Sequence, residues 1–152
     1  ETITKEKIFL EEYALFNKTK NKIKFFLPEN PDFVSHSISN WKQNYDNKSQ
    51  YIEVETETVS NIVKKYNINN LEILKLDIEG AELKVIPEIF RSKIYPKQIL
   101  VEFDEIQNHS LKAYLKYTYI VIKLILNKYK PIEINNFPNF LFVNKKYIDI
   151  SN

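Results

Sequence analysis

The chain contains a single glycine, Gly80, in the segment LKLDIEGAE at residues 74–82. A chain of 152 residues with roughly 7% glycine would carry about ten. Glycine is the default residue where the backbone needs a positive φ or where a ligand approaches the backbone closely. A chain with one glycine therefore cannot form a glycine-rich ligand loop, and we expect Gly80 to mark the point where the backbone most needs this freedom.

Composition excludes several classes of function. The chain is 43% hydrophobic and 28% charged with a net charge of +2, which is typical of one globular domain and not of a nucleic-acid or anionic-membrane binder. It has no cysteine and only two histidines, so thiolate zinc sites, cysteine nucleophiles and multi-histidine metal sites are excluded. No apolar run approaches the ~20 residues of a membrane span. With no signal peptide visible, we expect a cytoplasmic protein.

The order of predicted elements indicates an α/β fold. Segments 7–17 and 22–31 predict two strands that we expect to pair as a hairpin, and the polar segment 31–50 predicts a long loop. Periodicity then predicts strands at 51–56, 71–78 and 97–106, helices at 58–68, 79–94 and 110–129, and two closing strands at 130–136 and 137–146. The apolar residues of the first helix follow an i, i+3, i+4, i+7 pattern, and Thr58 is its expected N-cap. Strands that alternate with helices lie parallel, so we expect a mostly parallel sheet with an antiparallel C-terminal strand. The final two strands have no helix between them, so we expect them to pair as an antiparallel hairpin.

Acidic residues surround the single glycine at the end of a predicted strand. In a parallel sheet, ligands bind at the carboxyl ends of the strands, and Asp77 lies where the strand LEILKLD ends. Glu79 and Glu82 fall in the first turn of the following helix. Two interpretations stay open, because carboxylates at such a site can act on a ligand, and they also stabilise a helix N-terminus by roughly 0.3–1 kcal/mol each.

The stretch ILKLDIEGAELKVI resembles the signature K-[IL]-D-[VI]-E-G-A-E of the FkbM family of S-adenosylmethionine-dependent methyltransferases. The matching residues are Lys75, Asp77, Glu79, Gly80, Ala81 and Glu82. The flanking segments YIEVETETVSNIV, KQILVEFDE and SHSI resemble further parts of the family, and the likeness covers roughly residues 7–145. The resemblance implies a partial Rossmann-like class I methyltransferase sheet, S-adenosylmethionine as cofactor, and O-methylation of a hydroxyl on a sugar, glycan or natural product.

The resemblance and the predicted strand ends together give a set of candidate site residues. The candidate catalytic residues are Asp77, Glu79 and His36, the candidate cofactor-binding residues are Glu12, Tyr13, Ala14, Asp77 and Gly80, and the candidate substrate-binding residues are Ser37, Glu82 and Glu102. His36 and Ser37 belong to the long loop, which is interpreted either as a substrate-contacting lid or as a solvent-facing segment. Asp77 would orient the acceptor hydroxyl or take its proton. No required metal is expected.

The chain departs from the family at two places, and the second limits what it is expected to do alone. Pro87 stands where the family's helix continues toward a further glycine, and it is expected to restart or kink the helix. The glycine-rich cofactor loop of the family's first half has no counterpart, and the chain contains no methionine. We therefore expect residues 1–152 to be a single domain, the C-terminal portion of a methyltransferase domain within a longer enzyme, with weak affinity for S-adenosylmethionine. A non-catalytic interaction module on a truncated methyltransferase core is the alternative. The oligomeric state stays open.

Overall fold

The structure, a computed structural model, describes residues 8–27, 38, 50–78, 80–103, 106, 110–132 and 138–148. Within these ranges the chain forms seven strands, three α-helices and a closing 3₁₀ turn. In chain order they are β1 (Ala14–Leu15), β2 (Lys22–Phe26), β3 (Tyr51–Glu57), α1 (Val59–Lys65), β4 (Ile73–Leu76), α2 (Glu82–Arg91), β5 (Gln98–Glu102), α3 (Leu111–Leu126), β6 (Tyr129–Ile132), β7 (Asn139–Asn144) and the 3₁₀ turn Lys145–Tyr147. The predicted α/β class is confirmed.

The first three strands form a small mixed sheet in the order β1-β3-β2. β1 is parallel to β3, and β2 is antiparallel to it. The predicted hairpin between the first two strands is therefore wrong, because these strands do not pair with each other and lie on opposite edges of β3.

Hydrogen bonds made by Thr56 explain why β1 and β2 lie on opposite edges of β3 and do not pair with each other. The Thr56 side chain is buried, and its hydroxyl shares its one hydrogen between the carbonyls of Lys18 and Asn21, whose oxygens lie 2.7 and 3.0 Å from Oγ1. Its own carbonyl accepts the N–H of Lys20 at 2.9 Å, and Lys20 has a positive φ of 51°. The connecting segment thus wraps around Thr56 and carries the chain from one edge of β3 to the other.

The remaining strands form a four-stranded sheet in the order β4-β5-β7-β6. β4 and β5 are parallel, and β7 is antiparallel to both β5 and β6. The antiparallel C-terminal strand is confirmed, as is the antiparallel pairing of the last two strands. A mostly parallel sheet is not confirmed, since two of the five described strand pairs are parallel and β3 pairs within the other sheet.

One cluster of buried side chains joins the three helices to the four-stranded sheet. Its members lie on every helix and on all four strands, and the most completely buried are Leu76, Val85, Ile86, Ile89, Ile99, Val101, Ile120, Leu124, Tyr129 and Phe142. The Tyr129 hydroxyl donates to the carbonyl of Pro96 at 2.6 Å. Burial raises the pKa of Tyr129 to about 12, so this side chain stays neutral and keeps its hydrogen bond throughout the physiological range.

Side-chain caps set the starts of two helices. Thr58, predicted as the N-cap of α1, accepts the N–H of Asn61 at 3.2 Å, and Ser110 accepts the N–H of Ala113 at 3.1 Å at the start of α3. α2 does not restart at Pro87 and runs unbroken through it. Because proline has no N–H, the helix supplies no donor at that position for the carbonyl of Leu83.

α3 packs against the core along a narrow stripe and presents a wide apolar side to solvent. The exposed residues of that side are Leu111, Tyr114, Leu115, Tyr119, Ile122, Ile125 and Leu126. Its edge at Leu115 and Tyr119 forms one wall of a cavity described below. None of the described helices combines the length and apolarity that crossing a bilayer demands.

Candidate active site

A short turn joins the end of β4 to the start of α2 and contains the single glycine. The N–H of Ala81 donates to the carbonyl of Ile78 at 3.3 Å, which closes a four-residue turn with Gly80 as its third residue. Gly80 has a φ of 102°, a value that a residue with a Cβ adopts only at a cost. The single glycine is therefore retained for backbone conformation at a strand-to-helix turn.

Replacing Gly80 with alanine is expected to lower the free energy of unfolding by about 1–2 kcal/mol, because the new Cβ disfavours positive φ. The measurement is the midpoint of chemical denaturation. Gly80→Asn is the matched variant, since asparagine tolerates positive φ better than alanine. Its free energy of unfolding should lie between those of the parent and the alanine variant. An alanine variant as stable as the parent chain would show that positive φ is not required in solution.

Glu82 is the buried carboxylate of this turn. Its side chain is 2% exposed, its Oε1 accepts the N–H of Ile78 at 2.8 Å, and its Oε2 accepts the N–H of Gly80 at 2.9 Å. Ala81, the N-cap of α2, has no side-chain oxygen that could do this. Both oxygens of Glu82 therefore bind backbone of the turn, which identifies a positioning role. The predicted contact of Glu82 with substrate stays a prediction.

Asp77 and Glu102 lie at the carboxyl ends of the two parallel strands, at the same edge of the sheet. The register pairs Leu76 of β4 with Val101 of β5, so Asp77 and Glu102 are the next residues along neighbouring strands and follow the same pleat. The Asp77 side chain is 44% exposed, and Lys75 Nζ lies 3.6 Å from its Oδ2. An accessible carboxylate thus stands where ligands bind in sheets of this kind.

A cavity opens beside the turn, between α2 and α3. It has a volume of about 610 Å³, and Gly80, Leu83, Leu115 and Tyr119 are among the residues that line it. This volume lies within the usual range for small-molecule sites, roughly 300–1,000 Å³. Asp77 precedes Gly80 by three residues along the chain, and neither Asp77 nor Glu102 is among the described residues that line the cavity.

The family model of the methyltransferase FkbM domain matches residues 6–127 of the chain. The chain belongs to the FkbM methyltransferase family. No curated protein and no solved structure matches it significantly. The matched part of this FkbM domain runs from before β1 through α3, and it includes Asp77, the glycine turn and Glu102.

The residues predicted to hold the cofactor of an FkbM methyltransferase fit it only in part. Ala14 is buried in β1 and pairs with Thr56, so its side chain offers nothing to a ligand. Glu12 and Tyr13 are exposed directly before it and fit one polar, aromatic edge of a nucleoside. With Gly80 as the only glycine, the described residues provide no glycine-rich loop for the rest of S-adenosylmethionine.

Glu11, the residue before Glu12, is a carboxylate that the sequence did not single out. Lys65 Nζ lies 2.6 Å from its Oε1, and the hydroxyl of Tyr66 donates to the same oxygen. These hydrogen bonds lower the pKa of the Glu11 carboxyl. Glu11 therefore ties the start of the described chain to α1 and is engaged within the protein. No sequence pattern pointed to it, since its partners lie more than fifty residues away.

Three candidate residues, His36, Ser37 and Glu79, lie outside the described residues, and their predicted roles stay predictions.

Glu88 is a buried carboxylate that the sequence did not single out. Its Oε1 accepts the hydroxyls of Ser60 and Ser92 at 2.8 and 2.7 Å and so links α1 to α2. Within the described ranges, no three His, Asp or Glu side chains come together as a metal-binding group.

Proposed function

We propose that this FkbM domain serves an S-adenosylmethionine-dependent O-methyltransferase that acts on a hydroxyl of a sugar, glycan or natural product. The observation that supports this most is the accessible carboxylate of Asp77 at the carboxyl end of β4, directly before a turn fixed by Gly80 and Glu82. The cavity of about 610 Å³ beside the turn has room for a small polyhydroxy acceptor. The proposed location is the cytoplasm.

In the proposed reaction, Asp77 handles the proton of the acceptor hydroxyl. S-adenosylmethionine supplies an electrophilic methyl group when bound. A carboxylate oxygen of Asp77 would accept a hydrogen bond from the hydroxyl, orient its lone pair towards the methyl donor and take its proton. The methyl carbon–sulfur bond would break as the carbon–oxygen bond forms, and the sulfonium would leave as a neutral thioether. The Asp77 side chain is 44% exposed, so the proton then passes to water. Lys75 Nζ lies 3.6 Å from the carboxylate, and Glu102 follows the neighbouring strand at the same edge of the sheet.

A second candidate function is a non-catalytic interaction module on a methyltransferase core. The observation that favours it is the single glycine, because a chain with one glycine has no glycine-rich loop against which the cofactor can pack. Both candidates predict that this chain alone holds S-adenosylmethionine weakly. They differ in whether the product of the complete gene transfers a methyl group.

The test is methyl transfer from S-adenosylmethionine carrying a labelled methyl group to a panel of sugars and glycans. Calorimetry on the 152-residue chain is expected to show affinity weaker than micromolar, and the product of the complete gene is expected to label a hydroxyl oxygen. A folded complete protein that binds no cofactor and labels no acceptor would favour the interaction module. Labelling at nitrogen or carbon would contradict O-methylation.

A further inference from the structure

A continuous groove runs along α2 and α3 from the glycine turn. The cavity at Gly80 adjoins a second cavity of about 470 Å³, and the two share Leu83, Lys84 and Tyr119. We name the two together the α2–α3 groove. Since α2 begins at the turn and is 10 residues long, the groove extends roughly 15 Å from Gly80 at a rise of about 1.5 Å per residue.

Four cations line the groove in two levels. Lys84 and Arg91 lie seven residues apart on α2, and Lys116 and Lys123 lie seven residues apart on α3. Seven residues correspond to about 10 Å along a helix and return to nearly the same side of it. Lys84 and Lys116 therefore form a level near the turn, and Arg91 and Lys123 form a level at the far end.

The charge of the groove departs from that of the whole chain. The chain contains 22 basic and 20 acidic residues, yet no Asp or Glu is among the described residues that line either cavity. Arg91 is also the only arginine of the chain. Arginine favours planar, bidentate recognition of carboxylate and phosphate groups, so its place at the far level points to an anionic ligand.

The two cations of the far level, Arg91 and Lys123, form no ion pair within the described part of the chain. Lys65, Lys75 and Lys97, which lie elsewhere, each have a carboxylate oxygen within 2.6–3.6 Å. Arg91 instead donates through Nε to the carbonyl of Pro87 at 3.4 Å, and Lys123 Nζ lies 5.4 Å from the ring of Tyr119. The far level therefore keeps its positive charge for a ligand.

The centre of the groove offers groups suited to a polyhydroxy compound. Tyr119 lies between the two levels and is 52% exposed, so its ring provides a flat apolar face. Cations at two levels and an aromatic face suit a chain of sugar rings that carries negative charge.

We propose that the α2–α3 groove binds the methyl acceptor, and that this acceptor is an elongated anionic glycan. The hydroxyl to be methylated lies at the Gly80 end, and an anionic group, carboxylate or phosphate, lies between Arg91 and Lys123. This inference deepens the proposed function, because it rests on that function for the identity of the ligand as acceptor. The groove's preference for anions stands independently of it.

The test compares binding of three probes by calorimetry at low and high salt, with no cofactor present. The probes are trigalacturonate, neutral maltotriose and glucose 1,6-bisphosphate. The double variant Arg91→Gln/Lys123→Gln should bind the preferred anionic probe between about three- and tenfold more weakly, as expected for two exposed charge contacts. Lys64→Gln/Lys112→Gln, which removes two exposed lysines outside the groove, is the matched control and should bind as the parent does.

Each outcome decides a separate point. Tighter binding of trigalacturonate identifies a carboxylate, and tighter binding of the bisphosphate identifies a phosphate. Equal binding of maltotriose and trigalacturonate, or equal losses in the two double variants, would overturn the inference. Charge-dependent binding in a complete protein that transfers no methyl group would retain the groove and refute the methyltransferase. Methyl transfer to neutral acceptors that is unchanged in the Arg91→Gln/Lys123→Gln variant would retain the methyltransferase and refute the groove as the acceptor site.

Discussion

Replacing Asp77 with asparagine is expected to reduce methyl transfer about 10²–10⁴-fold, the usual loss for a positioned general base. Asparagine keeps the shape of the side chain and one acceptor oxygen, but it has no negative charge and cannot take the proton of the acceptor hydroxyl. Because the Asp77 side chain is 44% exposed, stability should change by no more than about 0.5 kcal/mol. The measurement is the turnover rate of the product of the complete gene, accompanied by thermal melting.

Lys75→Gln is the matched control for the Asp77 variant. It removes the cation 3.6 Å from the carboxylate, and exposed ion pairs of this kind contribute little. Its turnover should therefore stay within about tenfold of the parent. Full activity of a normally folded Asp77→Asn protein would show that Asp77 only borders the start of a helix. A comparable loss of turnover in Glu102→Gln, with Asp77→Asn fully active, would identify Glu102 on the neighbouring strand as the general base.

Local signals in the sequence were sufficient for the second half of the fold. Thr58 before an i, i+3, i+4, i+7 pattern predicted the start of α1, and the absence of a helix after residue 130 predicted that the last two strands pair antiparallel. The first two strands were mispredicted because their partner lies far along the chain. Thr56 fixes their arrangement through bonds that span more than thirty residues, and no local pattern reports such bonds.

The sequence located the candidate site but did not divide the roles of its carboxylates. The position of Asp77 after a strand was sufficient to predict an accessible group at the sheet edge, and the rarity of glycine was sufficient to predict that the backbone at Gly80 needs glycine's freedom. The hydrogen bonds from backbone N–H groups to its side chain distinguish Glu82 from Asp77, and the sequence does not reveal these bonds. The cations of the groove were visible as two pairs with seven-residue spacing, yet only the packing of α2 on α3 brings them together.

Replacing Glu82 with alanine is expected to lower the free energy of unfolding by about 3 kcal/mol, more than any other change at the turn. The substitution removes two charge-assisted hydrogen bonds to backbone N–H groups, each worth about 1.5–3 kcal/mol, and leaves those donors partly buried without an acceptor. Glu82→Gln keeps one acceptor oxygen and brings an amide donor against the other N–H, so its loss should approach that of alanine. The measurement is chemical denaturation of the 152-residue chain.

Glu55→Ala controls for the loss of a carboxylate, because Glu55 is exposed on β3, and its stability should stay within about 0.5 kcal/mol of the parent. In the complete protein, the Glu82 variants should also lose turnover with little change in the KM of the acceptor, since a loosened turn misplaces Asp77 without removing a contact to the acceptor. A Glu82→Ala protein of normal stability with a raised KM would reverse this assignment. The backbone bonds would then contribute nothing to folding, and Glu82 would be the substrate-binding residue that the family resemblance predicts.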